Sequence, residues 1–250
     1  MSAEAVIDTK ELTKIYNGQT AVENLTFSVN AGEIFGFLGP NGAGKTTTLL
    51  MLLGLTEPTS GSAKVLGMDP AREPIKVKSV IGHLQENMGF YTDLNARQML
   101  QFIAELNDIS PDAAQDRITA ALQATGLAGE QDKKIGAYSR GMRQRLGIAE
   151  LLIKDSKVAF LDEPTLGLDP DGTNRMIELI ESLCRDKKMT ILLSSHMLHQ
   201  VQKICNRIGI MIKGRMVAHG EMDHLAKEKF GVGKEQYTLE EIYMKYFQEA

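Results

Sequence analysis

Residues 39–47 read Gly39-Pro40-Asn41-Gly42-Ala43-Gly44-Lys45-Thr46-Thr47. This is the G-x-x-x-x-G-K-[ST] spacing of a P-loop, whose glycines let the backbone bend until successive N–H groups converge on an anion. Lys45 is expected in an open, solvated loop, reaching the β- and γ-phosphates of a nucleotide as a point charge. The Thr46 hydroxyl would complete the coordination of Mg²⁺, which prefers oxygen ligands. An apolar run ends 117 positions after Lys45 in a second chemical pair, Asp162-Glu163. Asp162 is placed to hold Mg²⁺ from the side opposite Thr46, and Glu163 is suited to accept a proton from an attacking water. His196 follows another apolar run, where a neutral imidazole can hydrogen-bond a γ-phosphate or its water.

The segment Tyr138-Ser139-Arg140-Gly141-Met142-Arg143-Gln144-Arg145 opens a helix. Ser139 can cap it, Gly141 leaves its first turn open, and the exposed N–H groups form a second anion site. Arginines at the positive end of a helix dipole are unfavourable unless something anionic arrives. Two further residues admit two readings each. Gln85 is either a metal or water ligand at a strand tip or a solvated loop residue. Tyr16 is either ordinary packing or a platform for an aromatic base.

The elements that must position these groups are legible from periodicity. Residues 34–38 are a buried strand feeding the glycine loop, and 45–53 are an apolar helix. Residues 5–30 alternate apolar and polar around Asn17-Gly18, which predicts an antiparallel hairpin. Residues 59–69 predict another hairpin, and 77–84 a strand. From 93 to 130 strand signals give way to two helices, the first capped around Asn95 and Gln98, the second opened by Ser110-Pro111 and closed by Gly126. Residues 139–153 are helical, and 157–162 form a strand. Asp169-Pro170 caps the next helix, and 190–193 form a strand. Two short strands joined by Lys213-Gly214 precede helices at 221–230 and from Thr238, where Glu241 completes a capping box. The expected architecture is an α/β P-loop NTPase core with an antiparallel β subdomain. Residues 1–220 form the nucleotide-binding unit, with a helical subdomain inserted at about 90–145, and 221–250 are a C-terminal helical extension.

At 250 residues, one such core with an insertion is the natural size. A formal charge of −4 argues against nucleic acid as a partner. Cys184 and Cys205 lie apart on helical patterns and read as reduced packing residues. The N-terminal stretch has no basic segment followed by an apolar one, which predicts a cytoplasmic protein. The apolar runs 49–55 and 208–212 fall far short of the ~20 residues that cross a bilayer, so a membrane role would come through a partner.

Taken together, Tyr16, the P-loop, Gln85, the Ser139–Arg145 segment, Leu161-Asp162-Glu163-Pro164 and His196 resemble, in order and spacing, the nucleotide-binding subunit of ATP-binding cassette (ABC) transporters. The form of the 138–145 segment and the tail Leu239-Glu240-Glu241-Ile242-Tyr243 are similar to the subgroup that serves separate ABC-2-type exporter subunits. The resemblance implies ATP and Mg²⁺ as ligands and a head-to-tail dimer, a second copy or a related subunit, with ATP sandwiched between the P-loop of one chain and the signature of the other. It also implies an integral membrane permease as partner and a place on the cytoplasmic face of the cell membrane. By the same resemblance Tyr16 stacks on adenine, and Gln85 senses Mg²⁺ and signals to the permease. Ser139 and Gly141 clamp the opposing γ-phosphate, Glu163 is the general base, Asp169 lies in the subunit-crossing loop and His196 holds the γ-phosphate. Arg140 and Met142 depart from the commonest signature, which has Gly and Gln there. The alternative is a soluble ABC ATPase acting on nucleic acid or ribosomes. Such proteins usually carry two cassettes in one chain or a long coiled-coil insertion.

Overall fold

The computed structural model describes residues 5–231 and 237–249; the first four residues, part of the N-terminal stretch read above, lie outside it. The alternating pattern around Asn17-Gly18 forms the expected hairpin. Strand β1 (Ala5–Tyr16) pairs antiparallel with β2 (Gln19–Asn30), and both turn residues take positive φ, 48° and 82°. The buried run β3 (Ile34–Leu38) leads through the glycine loop into α1 (Lys45–Leu52).

Residues 59–69 do not form the expected hairpin. They hold one strand, β4 (Ser60–Val65), which pairs with β1 and completes a three-stranded sheet ordered β2-β1-β4. The other arm is reduced to a single bridge between Val65 and Met68, because Pro70 follows with no N–H to donate. Residues 77–84 also differ from expectation. Their first half belongs to helix α2 (Pro74–Val80), which Pro74 opens with its pre-set φ, and only β5 (Ile81–Leu84) is a strand. The apolar residues Val77 and Val80 mimicked strand pattern, yet Val77 is buried from a helix.

Helix α3 (Ala96–Leu106) begins with a full capping box: Gln98 N–H donates to Asn95 Oδ1 at 2.8 Å and Asn95 N–H to Gln98 Oε1 at 3.0 Å. Helix α4 (Pro111–Ala124) follows, and α5 (Arg140–Ile153) packs across both. Their apolar faces, including Leu100, Ile118, Leu122, Leu146 and Ile153, bury a core of their own. The chain then runs through β6 (Val158–Asp162), α6 (Pro170–Lys187), β7 (Thr190–Ser195), α7 (Leu198–Ile204), β8 (Arg207–Ile212), β9 (Arg215–Glu221), α8 (Met222–Phe230) and α9 (Leu239–Glu249).

The large sheet is ordered β5-β6-β7-β3-β8-β9, parallel except for β9. Its parallel strands are buried on both faces, as a parallel sheet requires, while the antiparallel edge strand β9 is not. One face packs Phe35, Phe37, Phe160 and Leu192 against the small sheet, where Phe27 stacks on Phe35 and Phe37 at 5.5 Å from each. The other packs Leu38, Leu161, Ile191 and Leu193 against α5, α6 and α7, and α9 adds Leu239, Ile242 and Tyr246. Both cysteines are free thiols.

Candidate functional site

Register brings the chemistry to one edge. In the parallel sheet Leu38 lies opposite Ser195 and Asp162 opposite Ser194, so the glycine loop, Asp162-Glu163 and His196 leave neighbouring strand ends on the same side. Gly44, the residue before α1, has φ 101°, and a Cβ there would stand 2.5 Å from the Ala21 carbonyl oxygen. Only glycine fits. No side chain caps α1, so its first amides and the positive end of its dipole are left for an anion.

Lys45 is not in the open position expected of it. It is 6% exposed, and its Nζ donates to the carbonyl oxygens of Gly39 at 2.7 Å and Pro40 at 3.2 Å. The loop wraps the side chain, and a buried ammonium needs acceptors. Burial lowers its pKa, and the charges of Glu163 and Asp162 pull it back up.

Thr46 Oγ1 donates to Asp162 Oδ2 at 3.2 Å, and Ser194 Oγ donates to Asp162 Oδ1. Glu163 sits at a left-handed φ of 49°, is 6% exposed, and accepts on Oε1 from His196 Nδ1 at 3.0 Å. An ionised Glu163 selects the imidazole tautomer with hydrogen on Nδ1, which leaves Nε2 for another partner. Glu163 Oε2 is buried with no hydrogen-bond partner. Such an orphan is costly unless a water or ligand meets it. Lys45, Thr46, Asp162 and Glu163 border a cavity of about 310 Å³ with Asn41, Gly42, Ala43 and Thr47, while His196 reaches it only through its bond to Glu163. A hydroxyl and a carboxylate drawn to 3.2 Å are hard oxygen donors that suit Mg²⁺, so Thr46 and Asp162 are the residues that would hold it.

Ser139 and Asp169 sit elsewhere. Ser139 Oγ accepts from Met142 N–H at 3.2 Å and caps α5, and Asp169 Oδ1 accepts from Gly172 N–H at 2.9 Å and caps α6. Together with Arg140, Gly141, Met142, Arg145 and Arg175 they line a second cavity of about 330 Å³. The Arg140 guanidinium lies over Gly167, 3.0 Å from where a Cβ would stand. The two cavities share no lining residue.

Tyr16 is not core packing. It is 42% exposed at the end of β1, with the Lys14 ammonium 4.8 Å from its ring centroid. Gln85 is exposed and lines a separate hollow with His83, Met88, Phe90 and Glu150. The residue from this segment that borders the cavity at the glycine loop is Glu86, which no motif in the sequence singles out. Strand β5 ends at Leu84 and the chain bends at Glu86, so the two neighbours Gln85 and Glu86 come to border different cavities. The sequence did not show which of these neighbours would face the glycine loop, since that depends on the bend after β5.

Residues 22–166 match the sequence family described as ABC transporter. The chain belongs to the ABC transporter ATP-binding family. It is 41% identical to the bacitracin transport ATP-binding protein BcrA of Bacillus licheniformis over 222 residues, 89% of this chain and 72% of that one. It is 34% identical to the probable multidrug ABC transporter ATP-binding protein YbhF of Escherichia coli, covering 96% of this chain and 41% of that one. Among solved structures, the ATP-binding subunit of an ABC transporter superposes with TM-score 0.86 at 28% identity, over 97% of this chain and 99% of that one. CbiO1 of Clostridium perfringens, part of the ABC transporter complex CbiONQ, superposes with TM-score 0.83 at 26% identity, over 99% and 100%. As a member of the ABC family the chain binds and hydrolyses ATP. No helix among its described residues is long and apolar enough to cross a membrane.

The hollow beside Gln85 holds a separate electrostatic feature of this ABC subunit. Burial pushes the Glu150 carboxyl up to about 7 from an ordinary 4.5, with the Lys154 charge opposing, and its Oε1 has no partner. Lys154 Nζ donates instead to the carbonyls of Lys78 at 3.0 Å and Ile81 at 2.9 Å. A carboxyl raised in the folded state stays protonated where the unfolded chain has already ionised, so its penalty is absent below 4.5, grows as pH rises, and is complete above about 7. That gap corresponds to at most about 3 kcal/mol. Glu150→Gln should therefore stabilise the protein at pH 8 and much less at pH 5. Urea unfolding at the two pH values checks this, and equal gains at both would refute it.

Proposed function

We propose that this ABC ATPase works as a head-to-tail dimer with composite ATP sites and drives transport through a separate ABC-2-type exporter subunit. The observation that carries the proposal is the separation of its two anion-binding surfaces. The P-loop cavity has a cation, metal-holding oxygens and a base, but it is open on one side, while Ser139 and the start of α5 present free helix amides with nothing to bind in the same chain. A second copy, turned head to tail, would bring the signature surface of one chain onto the phosphates held by the other.

In such a site Tyr16 would stack on the adenine, while the loop amides and Lys45 bind the β- and γ-phosphates. Mg²⁺ held by Thr46 and Asp162 would neutralise developing phosphate charge. Glu163 would take the proton of the attacking water onto its unpartnered Oε2, with His196 keeping the carboxylate oriented through Oε1 and presenting Nε2 to the γ-phosphate. Ser139 and Gly141 of the second copy would close the site, with Arg140 and Met142 beside them, and Asp169 would lie at the crossing between subunits. Residues 1–220 would be the cassette, 90–145 its helical insertion and 221–250 a helical extension. The hollow at Gln85, between the large sheet and the helical insertion, is the proposed contact with the membrane subunit, which would hold the protein on the cytoplasmic face. The exporter assignment is supported by the bacitracin and multidrug transport relatives. A nucleic-acid or ribosomal role is disfavoured by the net charge of −4.

A mixture of two inactive variants tests the sharing. In a heterodimer of Lys45→Ala and Ser139→Arg subunits both lesions fall on one composite site, and the other site is intact. In a Glu163→Gln background, which holds ATP, the mixture should trap about one ATP per pair while each variant alone traps almost none. If each site lay within one chain, no intact site could arise, and trapping would stay at the level of the separate variants.

A further inference from the structure

Ser194 is a buried hydroxyl in a strand whose central residues, Ile191 to Leu193, serve the core. It is 0% exposed, and its neighbour on the same face, Leu192, packs with Phe35, Phe37 and Phe160. A hydroxyl in such a place is unfavourable unless its hydrogen bond is made. That bond goes to Asp162: Ser194 Oγ donates to Oδ1, and Thr46 Oγ1 donates to Oδ2 at 3.2 Å, so each oxygen of the carboxylate is held by a different hydroxyl. The same residue holds the next one. The carbonyl oxygen of Ser194 accepts the Glu163 N–H at 3.1 Å, which anchors the left-handed turn that aims Glu163 at the cavity. Ser194 lies opposite Asp162 in the sheet on one side and opposite Phe37 on the other, so the strand pairing itself fixes where its hydroxyl stands.

We infer that Ser194 is a positioning residue for the Mg²⁺ carboxylate: its hydroxyl fixes the orientation of Asp162, so that the remaining lone pairs of that carboxylate face the phosphate cavity. The inference rests on the reading that Thr46 and Asp162 hold Mg²⁺. Thr46 alone cannot set the carboxylate plane, since one hydrogen bond leaves rotation about the Cβ–Cγ bond free, and Thr46 would itself be recruited by the metal. Ser194 stands behind the carboxylate, inside the sheet, where strand pairing on both sides holds it. Ser195 is the internal control, because its hydroxyl accepts the Met197 N–H at 3.0 Å and has no bond to either carboxylate.

The test is a Mg²⁺ titration of the binding of a fluorescent ATP analogue, read by fluorescence, alongside binding of the same analogue in EDTA. Ser194→Ala should raise the free Mg²⁺ needed for half-maximal binding by about tenfold, the lower end of what loss of a hydrogen bond behind a metal ligand does. Affinity in EDTA should be unchanged, because the glycine loop and Lys45 are untouched. Ser194→Thr, which keeps the hydroxyl on a residue suited to a strand, should restore the wild-type Mg²⁺ requirement, and Ser195→Ala should not alter it. If Ser194→Ala does not fold, Ser194→Cys keeps the volume with a weaker donor and should show an intermediate requirement. A wild-type Mg²⁺ midpoint in the Ala or Cys variant, or an equal loss of affinity with and without Mg²⁺, would overturn the inference. If wild-type binding itself ignores Mg²⁺, the metal assignment to Thr46 and Asp162 falls, and this inference with it. Mg²⁺-dependent wild-type binding with an unaltered Ser194→Ala removes only the role of Ser194.

Discussion

Glu163→Gln should bind ATP with about wild-type affinity and hydrolyse it more slowly by roughly 10²–10⁴-fold, the usual contribution of a positioned general base. The amide keeps the shape of the carboxylate, and its oxygen can still accept from His196 Nδ1 in the place of Oε1, which is 3.0 Å away. The left-handed backbone at 163 is no harder for glutamine than for glutamate, so the turn should hold. What changes is the orphaned Oε2 position, which becomes an NH₂ group that can donate to a water and cannot take its proton. Single-turnover hydrolysis and equilibrium binding of a fluorescent ATP analogue separate the two effects. The trapped species should accumulate as an ATP-bound dimer by light scattering. Turnover within about tenfold of wild type would take the base role away from Glu163.

The second large effect is expected at Lys45. Lys45→Ala should weaken ATP binding by roughly 10–10²-fold, since a hydrogen bond to a charged group contributes about 1.5–3 kcal/mol. Its burial adds a consequence that an open lysine would not have. The carbonyl oxygens of Gly39 and Pro40 lose their donor, and Asp162 and Glu163 lose a nearby cation. The free protein should therefore melt lower, by about 2–4 °C for each kcal/mol lost in a chain of this size. Lys45→Met separates the two effects. It keeps the apolar stem and should recover part of the melting temperature while leaving ATP affinity as poor as in Lys45→Ala. Unaltered affinity in both variants would sink the phosphate assignment, and an unaltered melting temperature in Lys45→Ala would show that the buried side chain adds nothing to the free protein.

Much of this protein was determined by residues close together in the chain, and those features stand in the structure as the sequence implies. The box between Asn95 and Gln98, the Asp169-Pro170 start of α6, the Ser139 cap and the Asn17-Gly18 turn each depend on hydrogen bonds or φ values within a few residues. The glycine loop is legible for the same reason, because its bends belong to the residues that make them. The failures arose where a local pattern fits two structures. Residues 77–80 carry apolar positions that suit a strand or a short helix, and Pro74 with the neighbouring core chose the helix. Residues 59–69 look like a hairpin, but Pro70 has no N–H to donate and the second arm stops at the bridge between Val65 and Met68.

The site itself was decided by tertiary structure. Thr46 and Asp162 meet across 116 positions, Ser194 and Asp162 across 32, and His196 and Glu163 across 33. No periodicity records such pairs, since they follow from which strands are neighbours in the sheet and in what register. Glu86 rather than Gln85 borders the cavity at the glycine loop, because the chain bends just after β5 and the path of that bend is not written in a periodicity. The burial of Lys45 has the same origin. Its charge was evident from its type, but whether solvent or backbone carbonyls would surround it depended on how tightly the loop closes over β3 and α1.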